Sequence, residues 1–498
     1  MVGAKSLVLI TVDCLRADHV GFLGYGRSTT PFLDSLAAES VVAPNAMVAG
    51  APTYYSFPAI MASRYPLALG RDVIGLAPGE PTLATVLNGS GYRTAAFLSG
   101  NPYLSRRFGY HAGFEVFCDF LQANDPAPQA RDEVRTAMPL GRLNRTLASA
   151  CHRLGPMGSL YDELYFQYCQ RLAAPGADSL ETLRRFPSAD QMVKPARAWL
   201  AENDGRPFFL WLHLMDPHAP YYPKQEALDA MGDTGMTPSR ARYLNSYWNR
   251  GEVTAKGLNR HRKEVTALYD AGVRWVDSQI ASLVDALREF HLWESCALAV
   301  TADHGEEFLD HAGRYHPPAK LTEELIRVPF LLRVPGVVQQ DGVRSRSPFS
   351  LLHLAPTLLD AINIPAPGSF RGRSHWKKLP EGQEWEHPAI VECIAGCNNP
   401  FRHEDRLGAR VLAIRGSRFK LVVDFHSSTE ALFDLQADPG ELHALPRKEQ
   451  APARKLLLEF ARQHVVESVQ SRDAAHRLDA RLRDLQLEWG HSNTKLSA

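Results

Sequence analysis

The sequence lacks several features that would assign it to a specialised class of protein. Its 498 residues hold 55 acidic and 55 basic side chains, so we expect no general affinity for nucleic acid or an anionic membrane. It has no run of about 18 or more apolar residues, which argues against a membrane span. Only six residues precede the apolar run Leu7–Val12, so we expect no signal peptide and a cytoplasmic location.

Cysteine is scarce, and the spacing of the cysteines matches neither a disulfide pattern nor a metal-binding pattern. The number is odd and no C-x-x-C pair occurs, which argues against both a disulfide scaffold and a zinc–thiolate cluster. We therefore expect reduced thiols. The seven positions are Cys14, Cys118, Cys151, Cys169, Cys296, Cys393 and Cys397.

Short apolar runs alternate with helical patterns along most of the chain, as in α/β proteins. Leu7–Asp13, Tyr92–Leu98 and Ala297–Thr301 read as strands, and the continuous apolar character of the first is typical of a strand buried on both faces of a parallel sheet. Glu264–Phe290 has apolar residues at helical spacing and predicts a long amphipathic helix. Val328–Gly336 predicts one further strand.

The pattern changes near residue 385, where hairpin strands and a helix around Arg454–Val465 indicate a small α+β domain. Two irregular, polar stretches before that point read as insertions. The predicted organisation is a catalytic α/β domain over residues 1–384 with helical insertions at about 120–195 and 224–260, a C-terminal domain over 385–490, and a tail at 491–498.

Polar residues follow the predicted strands at the end where parallel sheets bind ligands. Asp13 closes the first run, and Asp303 and His304 follow Ala297–Thr301. With the hydroxyl of Thr53 they form a ligand set suited to Zn²⁺, Mn²⁺, Mg²⁺ or Ca²⁺, as one ion or two. Taken alone, Asp13 could be a turn residue and Thr53 a helix N-cap.

Thr53 opens a strand-to-helix turn in the proline-rich stretch Ala51–Pro66. A threonine hydroxyl is a poor nucleophile unless something such as a divalent cation stabilises its alkoxide. Donors would also be needed for charge that develops on a phosphoryl or sulfuryl centre. The candidates to contact substrate are Asn101, His213, His218, His311, His316 and Lys320.

Six motifs in order resemble the sulfatase-like branch of the alkaline phosphatase superfamily. They are the strand ending in Asp13, the turn that ends in S-R-Y-P, and then D-P-H-x-P-Y, T-x-D-H-G-E, V-P-F-L-L-x-x-P-G and L-F-D-L-x-x-D-P-G-E. The resemblance covers nearly the whole chain apart from the two insertions. It implies a large mixed, mostly parallel sheet sandwiched by helices, a smaller C-terminal α+β domain, and a metal site at the edge of the sheet.

The turn departs from the sulfatase pattern C/S-x-P-S-R, whose first residue is oxidised to formylglycine. Aligning its tail on the S-R-Y-P sequence places Thr53 at that position, Tyr55 in place of the proline and Phe57 in place of the arginine. Cys14 stands where sulfatases have the second of two paired aspartates, and Asn101 falls near their K-x-H lysine. These departures argue against formylglycine.

Threonine at this position is instead similar to phosphoethanolamine transferases, lipoteichoic acid synthases and nucleotide pyrophosphatase/phosphodiesterases. The resemblance implies that Asp303 and His304 bind metal and that His316, twelve residues further on, faces the phosphoryl group. It assigns the substrate side to His218 as well, with His213 a weaker candidate.

The leading hypothesis is a metal-dependent phosphoryl-group hydrolase or transferase of the phosphodiesterase or phosphotransferase type. In it Thr53, His218 and His316 are catalytic, and Asp13, Thr53, Asp303 and His304 bind the metal. The expected substrate is a small-molecule, glycan or lipid-headgroup ester. Two alternatives stay open: a sulfatase that works without formylglycine, and a catalytically silent binding protein.

Overall fold

The structure, a computed structural model, describes most of the chain in ranges separated by gaps. Of the predicted insertion at 120–195, the part between 122 and 178 lies outside the described residues apart from five positions, and so does the tail at 491–498. The described ranges are 4–71, 73–121, 163–164, 166–168, 179–318, 320–338, 342–425 and 427–468.

The strands of the described ranges form four sheets. In chain order they are β1 (Ser6–Val12), β2 (Val41–Val42), β3 (Ala46–Met47), β4 (Arg93–Leu98), β5 (Val116–Cys118), β6 (Phe208–Leu214), β7 (Cys296–Ala302), β8 (Glu307–Phe308), β9 (Arg314–Tyr315), β10 (Arg327–Val328), β11 (Phe330–Arg333), β12 (Val343–Arg344), β13 (Phe349–Ser350), β14 (Ala389–Ile394), β15 (Arg410–Arg415), β16 (Phe419–Asp424) and β17 (Thr429–Asp434).

In the part of the chain that the structure describes, α-helices lie in six of the connections between these strands. The main α-helices are α1 (Pro31–Leu36), α2 (Thr53–Ala62), α3 (Leu83–Gly89), α4 (Leu180–Leu183), α5 (Ala189–Ala201), α6 (Gln225–Ala230), α7 (Pro238–Trp248), α8 (Ala255–Asn259), α9 (Arg262–Glu289), α10 (Glu323–Ile326), α11 (Leu354–Ala361) and α12 (451–468).

The largest sheet has the strand order β12–β2–β11–β7–β1–β6–β4–β5. β1 lies at its centre and runs parallel to both β6 and β7, and β4 runs parallel to β5 and β6. β11 is antiparallel to β7 and β2. The prediction of a mixed, mostly parallel sheet is therefore confirmed.

Apolar burial on both faces explains why this sheet forms. All seven side chains of β1 are buried, and so are those of β6 and β7. A buried large aliphatic side chain stabilises the fold by about 1.5–3 kcal/mol. The long amphipathic helix predicted near Glu264–Phe290 is α9, whose buried stripe includes Val276, Ile280 and Leu283.

The C-terminal strands form a separate antiparallel sheet in the order β14–β15–β16–β17. Helix α12 contributes Leu457 and Ala461 to a small core with side chains of β15, β16 and β17. The prediction of a C-terminal α+β unit with hairpin strands and a helix is thus confirmed. The boundary at residues 384 and 385 stays a prediction.

The prediction of a single strand over Val328–Gly336 is wrong. The segment divides at Pro329 into β10, which pairs with β3, and β11, which pairs with β7. Proline has no N–H to donate to a ladder, so it interrupts pairing within a sheet. The Pro329 carbonyl instead accepts a hydrogen bond from Thr301 Oγ1 at 2.9 Å.

Candidate metal centre

Four neighbouring parallel strands deliver polar side chains to one edge of the large sheet. Asp13 follows β1, Asp303 and His304 follow β7, His213 lies near the end of β6, and Asn101 follows β4. Because these strands are adjacent and parallel, their carboxyl ends meet at the same edge. The structure therefore brings together the residues that the sequence places after separate strands.

Thr53 is the first residue of α2 and points its hydroxyl into this group. Its Oγ1 lies 3.1 Å from Nε2 of His304, and the residue is 4% exposed. Pro52 occupies the N-cap position, so the alternative of Thr53 as an N-cap is wrong. The start of a ten-residue helix carries partial positive charge, which favours an anion at this hydroxyl.

The four predicted metal ligands converge on one point. Nε2 of His304 lies 3.7 Å from Asp13 Oδ1 and 3.6 Å from Asp303 Oδ2. Asp303 Oδ2 is buried and accepts no hydrogen bond from the described residues, which is costly for a carboxylate oxygen. Two carboxylates, one imidazole and one hydroxyl that lie this close together are a suitable ligand set for a divalent cation.

The two buried aspartates affect each other's ionisation. Burial raises the pKa of Asp303, and the negative charge of Asp13 raises that pKa further. Burial alone would raise the pKa of Asp13, but His218, His213 and His304 outweigh it and hold that pKa well below its usual range. The pair therefore carries one negative charge readily, and the second needs a compensating cation.

His218 and His316 flank the convergent group, and both are half-buried. Their ring centroids are 5.2 Å apart, and the ring centroid of His316 lies 4.5 Å from that of His304, with the two rings tilted by 39°. Burial lowers the pKa of His218. Burial alone would also lower the pKa of His316, but the Glu306 carboxylate, 3.1 Å from its Nδ1, raises it. The two imidazoles thus have opposite protonation tendencies.

Asn101 and His213, predicted to contact substrate, lie against Asp13 instead of at an exposed surface. Asn101 Nδ2 donates to Asp13 Oδ2 at 2.9 Å, and Nε2 of His213 lies 3.4 Å from the same oxygen. The other ring nitrogen of His213 is 3.0 Å from Thr11 Oγ1. In this position both side chains orient the Asp13 carboxylate. Their direct contact with substrate stays a prediction.

His311 and Lys320 belong to a second group around Glu307. Lys320 Nζ lies 2.8 Å from Glu307 Oε2, and His311 Nδ1 lies 2.8 Å from Glu324 Oε1. Their recorded contacts within the described ranges do not include Thr53. Lys320 already supplies a cation to this group, so the structure does not join these two candidates to the metal centre.

Sequence reasoning left two site residues without a role. Glu306 is fully buried, bonds His316, and accepts from Tyr221 Oη at 2.8 Å. Its position directly after D-H-G was a usable signal. Cys14 follows Asp13 and is also fully buried, with Sγ 3.1 Å from Asp13 Oδ1 and 3.5 Å from His316 Nδ1.

A hydroxyl at a helix start lies beside carboxylates and imidazoles at the edge of a mostly parallel sheet in an α/β protein, and such a set of side chains can hold a divalent cation. The chain belongs to the sulfatase family, whose model matches residues 5–364. A second family model, described as N-sulphoglucosamine sulphohydrolase, C-terminal, matches residues 311–460. These matches confirm the resemblance to the sulfatase-like branch of the alkaline phosphatase superfamily. The threonine nucleophile stays a prediction.

Individual relatives are distant. The chain is 26% identical to arylsulfatase K of Bos taurus over 282 residues, which is 50% of this chain and 50% of the relative. It therefore spans about half the length of the first curated relatives that it matches. It is 24% identical over 493 residues to an arylsulfatase of Clostridium perfringens, covering 95% of each chain.

The fold is also shared with a solved hydrolase that is not named as a sulfatase. Phosphonate monoester hydrolase of Agrobacterium radiobacter superimposes with a TM-score of 0.62 at 17% identity, over 94% of this chain and 96% of that one. At this identity the likeness establishes the fold alone. In the described ranges, no helix combines the length and apolar character needed to cross a membrane.

Proposed function

We propose that this protein is a metal-dependent hydrolase or transferase of phosphate or sulfate esters with Thr53 as its nucleophile. One observation carries the proposal: Thr53 Oγ1 lies at the start of α2, 3.1 Å from His304 Nε2 and beside two buried carboxylates. A hydroxyl nucleophile needs such an arrangement. The hydroxyl lies next to the side chains that would hold an activating cation and at a helix start, which attracts anions.

A divalent cation bound by Asp13, Thr53, Asp303 and His304 would supply a lowered pKa for the hydroxyl and polarisation of the ester oxygen. The protein's own groups do the rest. Thr53 gives its hydroxyl proton to solvent and its Oγ1 bonds to the phosphorus or sulfur atom. The bond from that atom to the ester oxygen breaks, and the oxygen leaves with a proton from His218 or His316. Water or an acceptor hydroxyl then releases the group from Thr53.

The charge of the site favours an ester with a single negative charge. Two cationic side chains near this edge are engaged elsewhere: Arg16 with Asp18 and Asp310, and Lys320 with Glu307. Within the part of the chain that the structure describes, the recorded ion pairs of the buried carboxylates are with histidines, and their negative charge would repel a dianionic phosphate monoester more than a monoanionic ester. We therefore propose a phosphodiester as the substrate class, carried by a small molecule, a glycan or a lipid headgroup.

A sulfate monoester also carries one negative charge, and membership of the sulfatase family supports it as the second candidate. The chemistry would then proceed without formylglycine, because Thr53 is neither cysteine nor serine. The identity of the metal, the choice between hydrolysis and transfer, the two-domain division and the cytoplasmic location stay predictions.

The test compares Thr53→Ala, Thr53→Ser and the wild type on aryl phosphodiester, aryl phosphate and aryl sulfate substrates. We expect the phosphodiester to react fastest and Thr53→Ala to lose about a thousandfold or more in kcat/KM, since nucleophile removal has effects of that order or larger. Thr53→Ser keeps the hydroxyl and should retain measurable activity. Thr357→Ala, in a buried threonine of α11, is the matched control.

Three outcomes would change the proposal. Full activity of Thr53→Ala would show that Thr53 is not the nucleophile. Turnover of the sulfate alone would replace the phosphodiester with the second candidate. No turnover of any ester, together with no stoichiometric divalent metal, would favour a catalytically silent binding protein.

A further inference from the structure

The thiol of Cys14 lies among polar ligand atoms and not in a hydrophobic core. Its Sγ is 3.1 Å from Asp13 Oδ1 and 3.5 Å from His316 Nδ1. A buried free cysteine usually behaves as a small hydrophobic side chain. Cys296, the first residue of β7, fits that description, because it packs in the hydrophobic core and its thiol donates to a backbone carbonyl. Cys14 does not fit it.

The backbone holds Cys14 in this position. Its φ is 61°, in the left-handed region that residues other than glycine rarely adopt. Its carbonyl accepts from Tyr269 Oη at 2.7 Å, and its N–H donates to Asp303 Oδ1 at 3.4 Å. These bonds fix the turn after β1, so the side chains of Asp13 and Cys14 both face the metal centre.

The distances place Sγ within reach of a shared cation. Ligand atoms of Cys14, His304 and His316 lie within 4.8 Å of one another, and so do those of Asp13, Cys14 and His218. Independently of the cysteine, Asp303 Oδ2 is buried and accepts no hydrogen bond from the described residues, which favours a cation beside it. His304 Nε2, which belongs to the first of these groups, lies 3.6 Å from that oxygen. The sulfur of Cys14 is therefore a candidate ligand of the same cation that the Asp303 carboxylate favours.

Sulfur changes which ion such a centre prefers. Ca²⁺ and Mg²⁺ are bound by oxygen ligands, whereas a thiolate with imidazole and carboxylate ligands is typical of Zn²⁺. A metal-bound thiol is deprotonated, so sulfur would also bring a negative charge to the ion.

We propose that Cys14 is a thiolate ligand of the metal centre and that it makes this a zinc site, not a calcium, magnesium or manganese site. The proposal rests on the metal centre of the proposed function but not on its reaction. His218 and His316 remain on the substrate side, and the ion is held by Asp13, Cys14, Thr53, Asp303 and His304.

Cobalt substitution tests the sulfur ligand without turnover. We expect the metal-free wild type to bind Co²⁺ with an intense near-ultraviolet thiolate-to-cobalt charge-transfer band. Cys14→Ser should still bind Co²⁺, detected by its visible d–d bands, but lose the charge-transfer band. Cys118→Ser, a half-buried cysteine at the sheet edge, is the matched control and should keep it. A band that survives in Cys14→Ser, or is absent from cobalt-loaded wild type, overturns the proposal.

A second measurement covers the case in which Cys14→Ser does not fold. X-ray absorption of the zinc-loaded wild type should contain one sulfur neighbour at about 2.3 Å. First-shell scattering from nitrogen and oxygen alone overturns the proposal. Both readouts are independent of activity, so a wild type that hydrolyses no ester but retains the sulfur signal would contradict the proposed function only.

Selectivity provides the third test. In competition between Zn²⁺ and Mn²⁺, we expect Cys14→Asp to shift the preference toward Mn²⁺ by about tenfold or more relative to wild type, because an oxygen replaces the sulfur. Metal content after dialysis measures the ratio. An unchanged ratio would overturn the claim that Cys14 sets the choice of metal.

Discussion

Two buried groups of charged side chains in this protein differ in how their charges are balanced. The first, the Lys420 cluster, consists of Lys420, Arg415, Glu323 and Glu441 and joins α10 to the C-terminal sheet. Lys420 Nζ lies 2.7 Å from Glu441 Oε1 and 3.5 Å from Glu323 Oε1. Arg415 lies 3.7 Å from Glu323, and Arg327 lies at its edge. The fold itself supplies every counter-charge here.

The second group, the Asp13 cluster, consists of Asp13, Asp303 and Glu306, all fully buried. In the described ranges its recorded ion pairs are with histidines, and none is with lysine or arginine. Asp303 Oδ2 accepts no hydrogen bond from the described residues, and neither do Glu323 Oε1 and Glu441 Oε1 of the Lys420 cluster. The two clusters therefore differ in the cation that faces the carboxylates, which is Lys420 in the first and is not a lysine or arginine of the described ranges in the second.

The difference separates a structural role from a chemical one. A buried ion pair that is complete needs nothing further, although breaking it is costly. A buried carboxylate group without its cation is unfavourable by itself and is expected where a ligand completes it. The comparison therefore predicts that the two clusters respond in opposite ways to substitution and to metal.

The largest expected effect on stability is in the Lys420 cluster. Lys420→Met removes the cation that faces two buried carboxylates, and breaking such a pair costs about 3–5 kcal/mol. Urea unfolding measures the loss of the free energy of unfolding. The exposed Lys378→Met is the control and should change it by less than about 0.5 kcal/mol. A loss for Lys420→Met as small as the control's would mean that the cluster is not a balanced structural unit.

The next effect is the response of the Asp13 cluster to metal. A divalent cation at about 100 times its Kd should stabilise the wild type by about 2.7 kcal/mol. Thermal and urea unfolding with and without chelator measure the increment. The Lys420→Met variant should gain as much as the wild type, because its cluster does not take part in binding.

Asp303→Asn sharpens this comparison. Without metal the variant should be at least as stable as the wild type, because one of two mutually repelling buried carboxylates is gone. With metal it should gain much less, because a ligand is lost. If metal-free Asp303→Asn were destabilised as strongly as Lys420→Met, the Asp13 cluster would be a structural cluster like the Lys420 cluster.

The smallest effect is a pH dependence at His311, beside Glu307. Burial alone would lower the pKa of His311, but Glu324 and Glu441 outweigh it, and the pKa is raised. A basic group whose pKa is higher in the folded than in the unfolded protein stabilises the fold. For a histidine this contribution is fully present at pH values below the pKa in the unfolded chain, about 6.5. That contribution is lost as pH rises through the folded pKa.

His311→Gln measures it. Its deficit in unfolding free energy relative to the wild type should be larger at about pH 5.5 than at about pH 8.5. The backbone bond from Lys320 to the His311 carbonyl is present in both proteins and should cancel. A deficit that is equal at both pH values would mean that the His311–Glu324 pair is not ionic.

Much of the fold and the site could be predicted because strand ends are local features. Apolar runs that end in Asp13 or Asp303 indicate both a buried parallel strand and its ligand-binding end. The break at Pro329 was also readable, since a proline in a strand interior argues against continuous pairing.

Other features depend on contacts between distant segments. Asn101 and His213 face Asp13 because β6 pairs with β1 and β4 pairs with β6 in register, and no local sequence pattern encodes this strand order. Lys320 faces Glu307 because the intervening hairpin folds back on itself. A single sequence contains no signal for either arrangement.

The most direct test of the account is a calorimetric titration of metal-free protein with a divalent cation. The wild type should bind at least one equivalent. A folded Asp13→Asn/Asp303→Asn double variant should bind none at the same site, and Lys420→Met should bind as the wild type does. A wild type that binds no stoichiometric divalent cation, or a double variant that binds it unchanged, would contradict the central claim that a cation completes the Asp13 cluster.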